Sequence, residues 1–119
     1  MKDSTIDSII NFMFEEMSFS AFVGVHVEEH DMGGECIQHD ETFFEIIIDE
    51  ECEDKEITLF HELIHVKQYV LEGLDVNKKI WKGIKTKSSV SYSKLPWEVE
   101  AYRLEEKYHE LWKKSLTNE

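Results

Sequence analysis

Thr58-Leu59-Phe60-His61-Glu62-Leu63-Ile64-His65-Val66 is the stretch whose reading decides the fold of this chain. Residues four apart on an α-helix lie one turn above each other on a single face. If the stretch is helical, His61 and His65 present two imidazoles to one metal ion, and Glu62 stands beside them to act on a metal-activated water. The flanks support a helix. Asp54, Lys55 and Glu56 precede it, with acids where the macrodipole favours them, and Gly73 supplies a stop. Leu59, Phe60, Leu63, Ile64, Val66, Val70 and Leu71 gather on one arc and are expected to face the core. His61, His65, Thr58 and Gln68 fall on the opposite side with Glu62 flanking, so the histidines are expected on the polar face of a core-packed helix.

Working upstream, Thr5 to Met17 carries Ile6, Ile9, Ile10, Met13, Phe14 and Met17 at helical spacing. Ala21 to Glu28 reads as a strand, Asp31-Met32-Gly33-Gly34 as a turn, and Glu35 to His39 as a short strand. Thr42 to Asp49, with its Ile46-Ile47-Ile48 run, is the strongest strand. Downstream, Leu74 to Leu95 is long for an unstructured loop in a small domain and is expected to form a hairpin or irregular flap. Pro96 suits the first turn of a last helix running to about Leu116, with Trp97, Ala101, Leu104, Tyr108, Leu111 and Trp112 as its apolar stripe. The expected fold class is α+β: an N-terminal helix, a sheet of about three strands, the histidine helix and a C-terminal helix. The 119 residues suit one domain with a single core, since one proline and the absence of repeats or low complexity mark no internal boundary.

Composition narrows the function classes. Asp plus Glu number 26 against 13 Lys plus Arg, a net charge of −13. That balance argues against nucleic-acid binding and against an anionic membrane surface. The charge is also segregated. Residues 28–56 hold thirteen acids and one lysine, whereas residues 67–94 hold seven lysines and two acids. Solvated surface accounts for this; a cleft with one acidic and one basic wall is the sharper reading. Cys36 and Cys52 make no disulfide framework, no signal peptide is visible between Met1 and Glu16, and no run reaches membrane-spanning length, so a cytoplasmic protein with reduced thiols is expected. Cys36 and His39 lack the second pair of a structural metal site.

A catalytic zinc takes three protein ligands and leaves one position open. Two are His61 and His65. Gln68 and Leu71 occupy the places where a metzincin would carry a glycine and a third histidine, which excludes that class. Glu72 lies about 10 Å further along the helix axis than His65, too far to share its metal. Asp75 and His109 are conceivable, but Glu98 and Glu100 at the start of the last helix are the best candidates. Periodicity does not separate these two. Glu100 has Arg103 and Lys107 at i+3 and i+7, as a solvent-facing ion-pair cluster would. Glu98 shares its face with Tyr102 and His109, and a first-turn position favours an ionised carboxylate. Glu98 is chosen, with Glu100 in reserve.

His61-Glu62-x-x-His65, followed by a helix with Glu98-Val99-Glu100-Ala101, resembles the gluzincin zinc metallopeptidases, whose third ligand is a glutamate in an E-x-x-A type motif. Position by position, that glutamate is Glu98 and the alanine Ala101. The run Leu95 to Tyr102 also resembles small metallopeptidase-like domains of phages and prophages. The resemblance implies a zincin-like domain and a peptidase in which His61, His65 and Glu98 bind Zn²⁺ and Glu62 is the general base, acting on a peptide or protein substrate. It also implies that the strand before the motif helix, Phe43 to Asp49, borders the cleft and offers an edge to an extended peptide. One departure stands out: where many gluzincins place an aspartate that buttresses a histidine ligand, this chain has Tyr102. Tyr92 is the candidate oxyanion donor, set against a packed loop tyrosine, and Trp81 and Trp97 are candidate pocket walls, set against core positions. The competing class is a zinc-binding interaction or regulatory domain without peptidase activity, and a metal-free structural domain is a third.

Overall fold

The computed structural model describes residues 1–117. Three helices and a three-stranded sheet form the body. Helix α1 (Asp3–Met17) ends where Ser18 turns left-handed, and strand β1 (Phe22–Glu28) follows. Strands β2 (Gly34–Gln38) and β3 (Phe43–Asp49) form a hairpin. Its turn is held by Asp40, whose Oδ1 accepts from the backbone N–H groups of Thr42 and Phe43, both at 2.8 Å. Strand β3 pairs parallel with β1 and antiparallel with β2, so the sheet order is β1-β3-β2.

This order corrects one expectation. The strand preceding the histidine helix is central, with both edges paired, and has no backbone edge to offer a peptide. The free edge next to the site belongs to β2. The hairpin returns β3 between its two neighbours, a long-range pairing that its own residues do not announce. Burial along β3 alternates cleanly: Phe44, Ile46 and Ile48 point into the core, and Phe43, Glu45 and Ile47 point away from it.

Helix α2 (Lys55–Glu72) starts at Asp54, whose side chain accepts from Ile57 N, and stops at left-handed Gly73, as its flanking residues predict. Every residue from Leu59 to Val66 is buried. One side packs on the inner face of the sheet and the other meets α3 (Pro96–Thr117), with α1 closing the core through Ile9 and Met13. The expected two-faced helix is therefore corrected. His61, His65 and Gln68 lie on a second buried face beneath α3, and Leu71, assigned to the core arc, is 50% exposed. Leu71 joins neither apolar cluster among the described residues, although its neighbours Tyr69 and Val70 pack against the core, so periodicity alone misplaces it.

The connection from α2 to α3 is a small hairpin. Strands β4 (Ile80–Trp81) and β5 (Ile84–Lys85) flank a two-residue turn, and both Lys82 (φ 52°) and Gly83 (φ 76°) have positive φ, as a type I′ turn requires. A single 3₁₀ turn, Tyr92–Lys94, then leads into Pro96 at the first position of α3. Leu74, Leu95 and Trp97 form a second, smaller apolar cluster beneath this segment. No helix is long and apolar enough to cross a membrane, among the described residues.

Candidate metal centre

Helix α2 presents His61 and His65 one turn apart, and α3 crosses them so that Glu98, in its first turn, enters the gap. Glu98 Oε1 lies 3.0 Å from His61 Nε2 and 3.1 Å from His65 Nε2. All three side chains are buried, at 7%, 5% and 4% exposure, and their ligand atoms lie within 4.8 Å of one another. They are the group that could hold a metal ion among the described residues. Tetrahedral ligands at about 2.0–2.2 Å from zinc stand roughly 3.3 Å apart, close to the two spacings seen.

The far sides of the imidazoles fix the chemistry. His61 Nδ1 is 2.9 Å from Glu105 Oε2, and His65 Nδ1 is 2.7 Å from Gln68 Oε1. Both partners are acceptors there, so each Nδ1 carries the proton and donates. In a neutral ring that leaves a bare lone pair on each Nε2, both aimed at a carboxylate oxygen. Three electron-pair donors converging in a buried space repel unless a proton or a cation stands between them. The donor set, two imidazole nitrogens and one carboxylate oxygen, suits a divalent transition metal.

Protonation follows the same logic. Burial opposes charge on His61, but hydrogen bonding to Glu98 and the charges around it outweigh burial and raise its pKa. His65 is raised in the same way. Burial also opposes the Glu98 carboxylate, yet the two imidazoles hold its pKa down at about 2. Glu62 is raised, chiefly by burial, with His65 and His61 pulling it partway back.

Glu62 is only 6% exposed but sits where two lobes of a groove meet. One lobe, about 240 Å³, reaches past His61 to Thr58, Tyr102 and Glu105. The other, about 280 Å³, reaches past His65 to Cys36, Tyr69, Leu74 and Trp97. Met32, Gly34, Glu62 and Tyr92 border both. Tyr92 is half exposed, and its pKa is raised by partial burial, by the neighbouring Glu98 charge and by hydrogen bonding to Glu98.

Gly34 is a contact point that sequence reasoning treated only as a turn residue. A Cβ there would stand 2.5 Å from Thr58 Cγ2 and 3.1 Å from Glu62 Oε2. The start of β2 thus lies directly on the glutamate, which only a residue without a side chain allows.

The rival ligands are placed elsewhere. Glu100 Oε1 accepts from Gln68 Nε2 at 3.2 Å and lies 3.7 Å from Lys67 Nζ. Glu72 bonds Lys67 and the Trp81 indole, Asp75 accepts from Lys78 N, and His109 pairs with Glu56 at 2.9 Å. His39 bonds Glu45, away from Cys36. Trp97 is buried in the wall of the His65 lobe, while Trp81 is half-buried against Lys82.

Sequence reasoning missed the two buttresses. Tyr102, at the expected buttress position, packs its ring 4.5 Å from that of His61 and makes no hydrogen bond to it. Glu105, two turns beyond Glu98 and on the same helical face, supplies the acceptor instead. Gln68, three residues after His65, serves the second histidine, and its amide is itself oriented by donating to Trp97 O at 3.1 Å and to Glu100. Compared with family models, curated proteins and solved structures, this chain matches none.

Proposed function

We propose that this chain is a zinc-dependent peptidase of the gluzincin type, with His61 Nε2, His65 Nε2 and Glu98 Oε1 as metal ligands and Glu62 as general base. The observation that carries the reading is the pairing of that three-donor cluster with a buried carboxylate at the floor of an open groove. A structural zinc site normally has four protein ligands and needs no such carboxylate. When bound, the ion supplies a Lewis acid that polarises a peptide carbonyl and lowers the pKa of water at that position.

The residues do the rest. Glu105 and Gln68 hold both imidazoles in the tautomer that turns Nε2 inward. Burial raises the affinity of Glu62 for a proton, so it accepts one from the attacking water more readily than an exposed glutamate and then delivers it to the leaving amine. Tyr92, bordering both lobes, donates its hydroxyl proton in a hydrogen bond to the developing oxyanion. An extended peptide pairs with the free edge of β2, whose Gly34, Glu35 and Cys36 line the groove.

The test combines metal analysis of untagged protein with cleavage of a peptide library. Stoichiometric zinc with cleavage is expected, and Glu62→Gln should keep the zinc and lose at least about a hundredfold in rate. Zinc without cleavage in the wild type, or full activity in Glu62→Gln, overturns the mechanism.

A further inference from the structure

We propose that the hairpin segment between α2 and α3 recruits an acidic stretch of polypeptide, guiding it from the lysines into the His65 lobe of the groove. Assigning that stretch to a substrate rests on the peptidase reading; the lysine surface itself does not.

In a chain of net charge −13, seven lysines fall within residues 67–94. Two of them are consumed. Lys67 and Lys82 pair with Glu72 at 3.1 and 3.5 Å and reach Glu100 at 3.7 and 3.9 Å. Lys78, Lys79, Lys85, Lys87 and Lys94 have no carboxylate within ion-pair distance among the described residues. Asp75, the nearest acid in sequence, is occupied in capping the Lys78 backbone. Four of these five, Lys78, Lys79, Lys85 and Lys87, border a concavity of about 590 Å³. Lys79 Nζ bonds Ser88 O across it, which holds one ammonium in place. Like charges crowded this way repel one another, and an anionic ligand relieves that repulsion.

The location assigns the ligand. Leu74, Val76, Tyr92 and Leu95, the two ends of the same segment, wall the His65 lobe. The lysines of the concavity lie in the chain between those two ends, whereas the opposite lobe ends at Glu105. Beside the ligands and Glu62 the His65 lobe is mainly apolar, with Tyr69, Leu74, Val76, Leu95 and Trp97 in its walls, and its one further acid, Glu35, lies on the β2 side. The matching ligand has an apolar side chain in the lobe and glutamates or aspartates beyond it. A long polyanion such as a nucleic acid strand fits less well, because the lysine surface is short and the rest of a chain of net charge −13 repels it.

Fluorescence anisotropy with Glu62→Gln protein tests this. The probes are labelled peptides with an apolar centre and glutamates on one side, glutamates on the other side, lysines in their place, or no charges. One glutamate peptide should bind about tenfold more tightly than the lysine peptide at low salt, and the preference should shrink as salt rises. The triple variant Lys78→Glu, Lys85→Glu, Lys87→Glu should abolish the preference and leave neutral-peptide binding unchanged. Equal binding of all probes, or a preference that survives the triple variant, overturns the proposal. So does salt-dependent self-association lost in that variant, which would make a second copy the occupant, or equal competition by a single-stranded oligonucleotide. Cleavage of the neutral peptide by wild type is read separately. Acidic-peptide binding without any cleavage sustains the lysine surface and sinks the peptidase reading, and cleavage without charge preference does the reverse.

Discussion

Glu105→Ala is the sharpest probe of how this site is built. The carboxylate accepts a hydrogen bond from His61 Nδ1 at 2.9 Å, and the two side chains are 17% and 8% exposed. A hydrogen bond to a charged group in such surroundings contributes about 1.5–3 kcal/mol. The bond forms whether or not metal is present, so only part of that energy is lost from metal binding directly. The rest of the effect is tautomeric: without Glu105 the His61 proton is free to move to Nε2, where it blocks the ligand lone pair. Loss of a partner behind a metal ligand typically costs 10–100-fold in affinity, about 1.4–2.8 kcal/mol, which matches the bond's own magnitude. Competition against a chromophoric zinc chelator should therefore show about a 10–100-fold weaker Kd for Glu105→Ala. Glu105→Gln keeps an acceptor oxygen but no charge and should fall between. Thermal unfolding of the metal-free proteins separates a ligand effect from general instability. A Kd within about twofold of wild type, with the fold intact, would show that Glu105 does not orient His61 and that Tyr102 packing alone suffices.

Three further outcomes follow from the geometry. Glu98→Ala should remove zinc binding at stoichiometric metal, whereas Glu100→Ala should weaken it about tenfold at most by loosening Gln68; chelator competition on both variants decides, and the reverse order would reassign the ligand. Gly34→Ala should destabilise the protein by about 1–3 kcal/mol and slow hydrolysis, because the new methyl group meets Thr58 Cγ2 and Glu62. Adding Thr58→Ser, which deletes that methyl contact, should restore Tm; no recovery would place the strain elsewhere. The raised His61 and His65 pKa values stabilise the metal-free fold fully below the unfolded histidine value of about 6.5, and this is lost as pH rises through the folded values. The Glu98 carboxylate, held down at about 2, contributes above its unfolded value of about 4.3 and loses its contribution as pH falls toward 2. The rise in Tm on adding zinc should therefore grow from mildly acidic to mildly alkaline pH, and a pH-independent rise would refute the protonated metal-free site.

The order and type of the main elements were legible because each carries a local signal. Asp54 and Gly73 bracket α2, Pro96 opens α3, and the apolar spacing of Ile9 and Met13 marks α1. Helical spacing makes the His61 and His65 pair legible, whereas the sequence only narrows the third position to Glu98 or Glu100; the structure brings Glu98 to the histidines and sets Glu100, expected to face solvent, against Gln68 and Lys67. What was not legible depends on pairing between distant segments. The sheet order puts β3 in the middle and hands the free edge to β2. Two buried faces on one helix cannot be distinguished from one apolar and one solvated face when the second is lined by histidine and glutamine. Glu105 was readable as a face-mate of Glu98, but nothing local says which of several acids on a charged helix meets a histidine across the interface. Gly34 looked like turn punctuation, and only its approach to Thr58 and Glu62 reveals a packing role.

These points bear on why the site stays polar in so dry a place. Apolar packing surrounds it: Leu59, Phe60, Leu63, Ile64 and Val66 on α2 are fully buried, as is Ala101 on α3. Burying two imidazoles, two carboxylates and an amide there costs several kcal/mol unless each atom has a partner. The imidazoles, Glu98 and the Gln68 amide have such partners, and no fully inaccessible side-chain nitrogen or oxygen lacks a hydrogen bond among the described residues, whereas Glu62 faces the groove. The two Nε2–Glu98 contacts are the exception in kind, because they join acceptor to acceptor in the neutral tautomers set by Glu105 and Gln68. The raised histidine pKa values are the protein's own answer, a proton in the space a cation fits. On the proposed reading, metal binding would exchange a proton for a divalent ion while Glu105 and Gln68 keep their bonds to the imidazoles, so the donor set stands assembled before any metal arrives.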